Sequence, residues 1–74
     1  MSSKKRREEI INLLINSNGP IKGTELAELF NITRQIIVKD IAILRAEGRN
    51  IIATPDGYIY NKDINKIKSI IAVN

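Results

Sequence analysis

The stretch Thr24-Glu25-Leu26-Ala27-Glu28-Leu29-Phe30-Asn31-Ile32-Thr33-Arg34-Gln35-Ile36-Ile37-Val38-Lys39-Asp40-Ile41 decides the fold. Thr24 is a good helix N-cap, and Leu26, Leu29 and Phe30 follow at helical spacing as an expected inward face. Glu25 and Glu28 fall near the positive end of that helix, where carboxylates are favoured. Asn31-Ile32 then reads as a tight turn, because Asn tolerates a positive φ and Ile32 can point back into the core. Thr33 is a second N-cap. From Arg34 to about Glu47 the apolar residues Ile37, Ile41 and Leu44 form one stripe, and Gly48 ends the run. Two helices joined by three or four residues have helix-turn-helix spacing.

Working outward, Ile10, Leu13 and Leu14 predict a preceding helix over roughly residues 3–17, behind the basic run Lys4-Lys5-Arg6-Arg7. Asn18-Gly19-Pro20 is expected to close it, with Gly as a left-handed cap and Pro unable to continue the ladder. After Gly48 the period changes. Ile51-Ile52-Ala53-Thr54 and Tyr58-Ile59-Tyr60 read as two short strands around Pro55-Asp56-Gly57, with Gly57 serving turn geometry. The fold class is therefore mostly α with a small β-hairpin: a winged helix-turn-helix of three helices plus a two-stranded wing, spanning residues 1–60. Residues 61–74 form an extension whose Ile64, Ile67 and Ile71 suit a helix capped by Asp63, while Ser69 to Val73 suits a strand.

Composition excludes most chemistry. The chain has 74 residues with neither Cys nor His, so disulfides, Cys or His metal sites, thiol nucleophiles and imidazole general bases are all unavailable. The scattered acidic residues suit a solvated surface, and neither enzyme activity, a cofactor nor a metal is expected. A domain this small hides only about 60% of its unfolded surface, which limits it to one core. The 12 basic against 8 acidic residues give a net charge of +4, which favours a polyanionic partner through counterion release. One Phe and two Tyr provide no platform for stacking bases, which argues against single-stranded nucleic acid. With no bilayer-length apolar run and no signal-type leader, a cytoplasmic location without membrane association is expected.

A helix entering the major groove carries base-reading groups on its first turns and apolar anchors behind them. Thr33-Arg34-Gln35-Ile36-Ile37-Val38-Lys39 meets that need. Arg34 can fork onto guanine, Gln35 can pair with adenine, and Ile36 and Val38 can touch thymine methyls. Lys39 suits a phosphate. Thr24 and Thr33, as caps, would present hydroxyl and backbone N–H groups to phosphates while also serving as ordinary caps. Ile36 and Val38 flank the inward Ile37, so at least one should be exposed, whether for methyl readout or a protein interface; burial of Ile36 under the second helix is the third reading. The alternative function is a winged helix used for protein interaction, with Ile36, Val38 and Ile43 as its patch. Lys22, Arg45, Arg49 and the Lys4 to Arg7 run add positive charge without a direction. The wing tip carries Asp56 and no cation, which weakens a phosphate-gripping wing.

The run Thr33 to Ala46, followed by Asn50-Ile51-Ile52-Ala53-Thr54 and Gly57-Tyr58, closely resembles the N-terminal domain of the nicotinate-responsive repressors of NAD biosynthesis, the NiaR type. More loosely, residues 5–60 resemble the winged helix of biotin-operon repressors. The resemblance implies a repressor that binds double-stranded operator DNA as a homodimer with nicotinic acid as co-repressor, Thr33, Arg34, Gln35, Val38 and Lys39 facing the DNA. Members of that family continue into a second domain with three histidines, a metal and the ligand pocket. None of those is present here, and Lys66 to Val73 resembles the linker and first strand of such a domain. The chain is thus expected to be the DNA-binding part of a longer regulator, touched by nicotinic acid only through that absent domain.

Overall fold

The computed structural model describes residues 1–62; the expected helix or strand at the C-terminal end lies outside the described residues. Three helices, α1 (Ser3–Asn16), α2 (Gly23–Phe30) and α3 (Arg34–Ala46), are followed by strands β1 (Ile51–Thr54) and β2 (Gly57–Tyr60). The strands pair antiparallel with Ile51 opposite Tyr60 and Thr54 opposite Gly57. This is the winged helix-turn-helix expected from the sequence.

The core is aliphatic: Ile10, Ile11 and Leu14 of α1, Leu26 and Ala27 of α2, Ile37, Ile41 and Leu44 of α3, and Ile51 of β1. Phe30, Ile32, Tyr58 and Tyr60 close its edges. The α3 stripe is as expected, but two inward assignments are not. Leu13 is at the surface while Ile11 is buried, and Leu29 is 65% exposed while Ala27 is buried. For α1 the reason lies one turn earlier. Arg6 and Arg7 both reach a carboxylate on α3, which fixes the helix rotation so that Arg6, Arg7, Ile10, Ile11 and Leu14 share the inward stripe and Leu13 turns away.

The helix ends show which local signals hold. Ser2 caps α1 by accepting from the Lys5 amide at 3.2 Å. Its C-terminus corrects the expected glycine cap: Ser17 is extended there, and Gly19 is absent from the positive-φ positions. Instead the Ser17 hydroxyl donates to the Gly19 carbonyl at 2.6 Å and accepts its amide, a local side-chain turn that competes with the helix. Thr24 is also corrected as a cap. Lys22 occupies the cap position without a side-chain bond, and Thr24 is the second residue of α2. The cause is an antiparallel bridge in which the Tyr58 amide donates to the Ile21 carbonyl at 2.7 Å and the Ile21 amide to that of Tyr58 at 3.0 Å. This contact holds the chain extended up to Ile21 and leaves the helix to start directly after it.

Between α2 and α3, Asn31 takes the left-handed conformation at φ 53°, so the Ile32 amide reaches back to the Ala27 carbonyl at 3.0 Å. Thr33 caps α3, its hydroxyl accepting from the Ile36 amide. Gly48, at φ 92°, closes α3 by letting the Arg49 amide return to the Leu44 carbonyl at 3.0 Å.

Candidate nucleic-acid interface

Helical geometry distributes the residues of α3 around three sectors. Ile37, Asp40, Ile41 and Leu44 are buried. Thr33, Arg34, Gln35, Ile36, Val38 and Lys39 are all exposed, as is Thr24 on α2. With about 100° between successive residues, Gln35, Val38, Lys39 and Ala42 face away from the core, and Arg34 and Ile36 fall on opposite edges of that face. Ile36 and Val38, at 38% and 41% exposure, are not buried under α2.

One edge is a cleft between α2, α3 and the wing, lined by Lys22, Gly23, Thr24 and Arg34 on one side and by Thr54, Pro55, Gly57 and Tyr58 among others on the opposite side. The first helical hydrogen bond of α2 runs from the Leu26 amide to the Lys22 carbonyl, so the amides of Gly23 and Thr24 have no helical acceptor. Gly23 lies against both walls of the cleft: a methyl there would stand 3.4 Å from the Tyr58 ring and 3.8 Å from the Arg34 side chain, in ordinary contact with each. Beside Arg34 the arrangement gathers the Lys22 cation, the Thr24 hydroxyl and open amides, the donor set that a phosphodiester accepts from.

The wing forms the wall of this cleft through Gly57. Its φ is 138°, and a Cβ would stand 2.6 Å from the Ile21 carbonyl carbon. Both the torsion and the contact demand glycine. The Thr54 hydroxyl donates to the Gly57 carbonyl at 2.7 Å and accepts the Asp56 amide, which ties the turn.

The other edge belongs to α1. A recess there is lined by Ser3, Arg6 and Arg7 of α1 and by Ile36, Lys39, Asp40 and Ile43 of α3. Asp40 is only 2% exposed. Its carboxylate accepts from Arg6 Nε at 2.6 Å and Arg6 Nη2 at 3.0 Å, with Arg7 Nη1 at 3.4 Å. The hydrogen bond to Asp40 raises the Arg6 pKa above its ordinary value, against the opposing effect of burial. Sequence reading missed this cluster. The signal was present: Asp40 falls within the stripe of Ile37, Ile41 and Leu44, and a buried carboxylate needs a cation that the Lys4 to Arg7 run can supply.

The structure therefore brings Thr24 and Arg34 together at one edge and Ile36 and Lys39 at the other, with Gln35 and Val38 between. It does not gather the alternative interaction patch. Ile36 and Ile43, seven residues apart, share the α1 edge, whereas Val38 lies on the far side of the outward face, and Ile43 is half-buried. Among the described residues no group of acidic side chains is placed to hold a metal, and no helix is long and apolar enough to cross a membrane.

The chain is 40% identical over 70 residues to the "Probable transcription repressor NiaR" of Thermotoga maritima, covering 95% of this chain and 40% of that protein. It is 46% identical over 55 residues to the "Transcription repressor NadR" of Bacillus subtilis, covering 74% of this chain and 31% of the relative. The "Transcriptional repressor CcpN" of the same organism is 39% identical over 55 residues, which make up 26% of its length. The chain thus spans well under half the length of these relatives. A family described as an HTH domain matches residues 6–59, from the arginine that holds Asp40 to the second strand of the wing, and the chain belongs to that helix-turn-helix family.

Proposed function

We propose that this chain is the DNA-binding domain of a transcriptional repressor, and that it lays α3 in the major groove of double-stranded DNA. The observation that carries this reading is the exposed face of α3, polar and methyl-bearing at its centre and flanked on both edges by cations, Lys22 and Arg34 on one side and Arg7 and Lys39 on the other. Arg34 and Gln35 read base edges, Ile36 and Val38 contact thymine methyls, and Lys39 with Thr24 and the cap Thr33 meets phosphates. Thr24 acts through its place in the first turn of α2 instead of as a cap. The repressors similar to this chain support the regulatory role, and the resemblance to the nicotinate-responsive type supports an operon of NAD biosynthesis. In the whole regulator a homodimer would place two α3 helices about 34 Å apart on a palindromic site, and nicotinic acid would act through a domain outside this chain.

The test is an anisotropy titration at several salt concentrations against the duplex upstream of the chain's own operon and a shuffled duplex, with Arg34→Ala/Gln35→Ala alongside. Selective, salt-sensitive binding that the double substitution abolishes is expected. No binding to either duplex at low salt would overturn the reading in favour of a protein partner.

A further inference from the structure

The cluster of Arg6, Arg7 and Asp40 holds more positive charge than its carboxylate satisfies. Arg6 takes both oxygens of Asp40 in a bidentate fork at 2.6 and 3.0 Å. Arg7 is left with a single contact of 3.4 Å to an oxygen already engaged, well beyond the roughly 2.7–2.9 Å of a strong charge-assisted bond. Among the described residues Arg7 makes no other ion pair. Its side chain is nonetheless held, at 20% exposure, so its position is defined while its hydrogen-bonding capacity is mostly unused. Lys39 adds a third cation to the same recess against the one carboxylate. A recess with this balance takes an anion.

Its location selects which anion. Ile36 and Lys39, both on the proposed DNA-facing side of α3, line the same recess as Arg7. A groove occupied by α3 is bordered by the sugar-phosphate backbone, and the element beside α3 on the Ile36 side is the start of α1. Resting on the DNA-binding reading above, we propose that Arg7 is a contact to a DNA backbone phosphate, so that the interface extends from α3 onto α1. Arg6 is the structural partner in this arrangement. It neutralises Asp40, and Arg7 keeps its charge for the DNA.

The experiment compares the wild-type chain, Arg7→Gln and Arg7→Lys in the same salt-series titration, each variant first checked by thermal melting to be folded at the titration temperature. Arg7→Gln is expected to flatten the dependence of log K on log salt by about 0.9, the contribution of one phosphate. It should weaken operator and shuffled duplex alike, on the order of tenfold at 0.1 M salt. Arg7→Lys, which keeps the charge, should restore most of the slope. An Arg7→Gln slope equal to that of the wild type overturns the proposal, as does the same deficit in Arg7→Lys as in Arg7→Gln, which would mark a packing defect. The two readings fail separately: wild-type selectivity that depends on Arg34 and Gln35, alongside an unchanged Arg7→Gln slope, removes only the α1 contact, whereas a wild-type chain that binds neither duplex removes both.

Discussion

At the scale of single residues, α3 combines two kinds of side chain whose proposed roles separate by measurement. Arg34 can fork onto a base edge, so Arg34→Ala should cost about 1–3 kcal/mol and relax preference at one base pair. A loss equal on every sequence would instead make it a phosphate contact, a role its place beside Lys22 and Thr24 also allows. Lys39→Ala should weaken all sequences about equally, and a sequence-selective loss there would refute the assignment. Asp40 differs from both, being buried under two arginines and unable to touch DNA. Truncating it leaves Arg6 partly buried without its anion, so Asp40→Ala should lower unfolding stability by about 2–4 kcal/mol in a urea titration. Stability within about 0.5 kcal/mol of wild type would show that the fork contributes nothing net.

At the scale of elements, the wing is attached to the helix-turn-helix by the Ile21 to Tyr58 bridge as much as by its own ladder. Gly57 sits at the junction, in a torsion other residues avoid and against the backbone of Ile21 and Lys22. Gly57→Ala should therefore destabilise the chain by at least about 2 kcal/mol, read from the shift of its denaturant midpoint. Equal stability would mean that the bridge is dispensable. The same bridge moved the start of α2 two residues ahead of the position expected from Thr24. A cap preference worth about 1 kcal/mol yields to a pair of backbone hydrogen bonds that set where the chain enters the helix.

At the scale of the whole molecule, four of the cations among the described residues border one face of α3. The cleft beside the wing contributes Lys22 and Arg34, the recess beside α1 contributes Arg7 and Lys39, and the wing tip itself carries only Asp56. The wing here is a wall for Arg34 and the first turn of α2, with the basic work left to the helices. If dimerisation places two such faces on one operator, a duplex with half-sites one helical turn apart should bind the complete regulator more tightly than one with half-sites five base pairs further apart, since the added half turn rotates the second site away. Equal affinity for the two spacings would exclude a fixed dimer.

By itself, the sequence determined what depends on neighbours along the chain. The caps at Thr33 and Gly48, the left-handed turn at Asn31, the stripe of Ile37, Ile41 and Leu44, and the change to strand period after Gly48 all involve contacts within a few residues, where local torsional preference and periodicity dominate. The three helices, the hairpin and the exposed surface of the recognition helix were legible for that reason. Only the tertiary structure decided the rotation of α1, the entry into α2 and the second edge of the interface. Each is set by a partner distant in sequence: Asp40 for Arg6 and Arg7, Tyr58 for Ile21, and the start of α1 for Ile36 and Lys39. Periodicity places Leu13 and Ile11 about equally well on an inward face. What chose between them was the cost of burying the Asp40 carboxylate, which turned α1 until two arginines faced it.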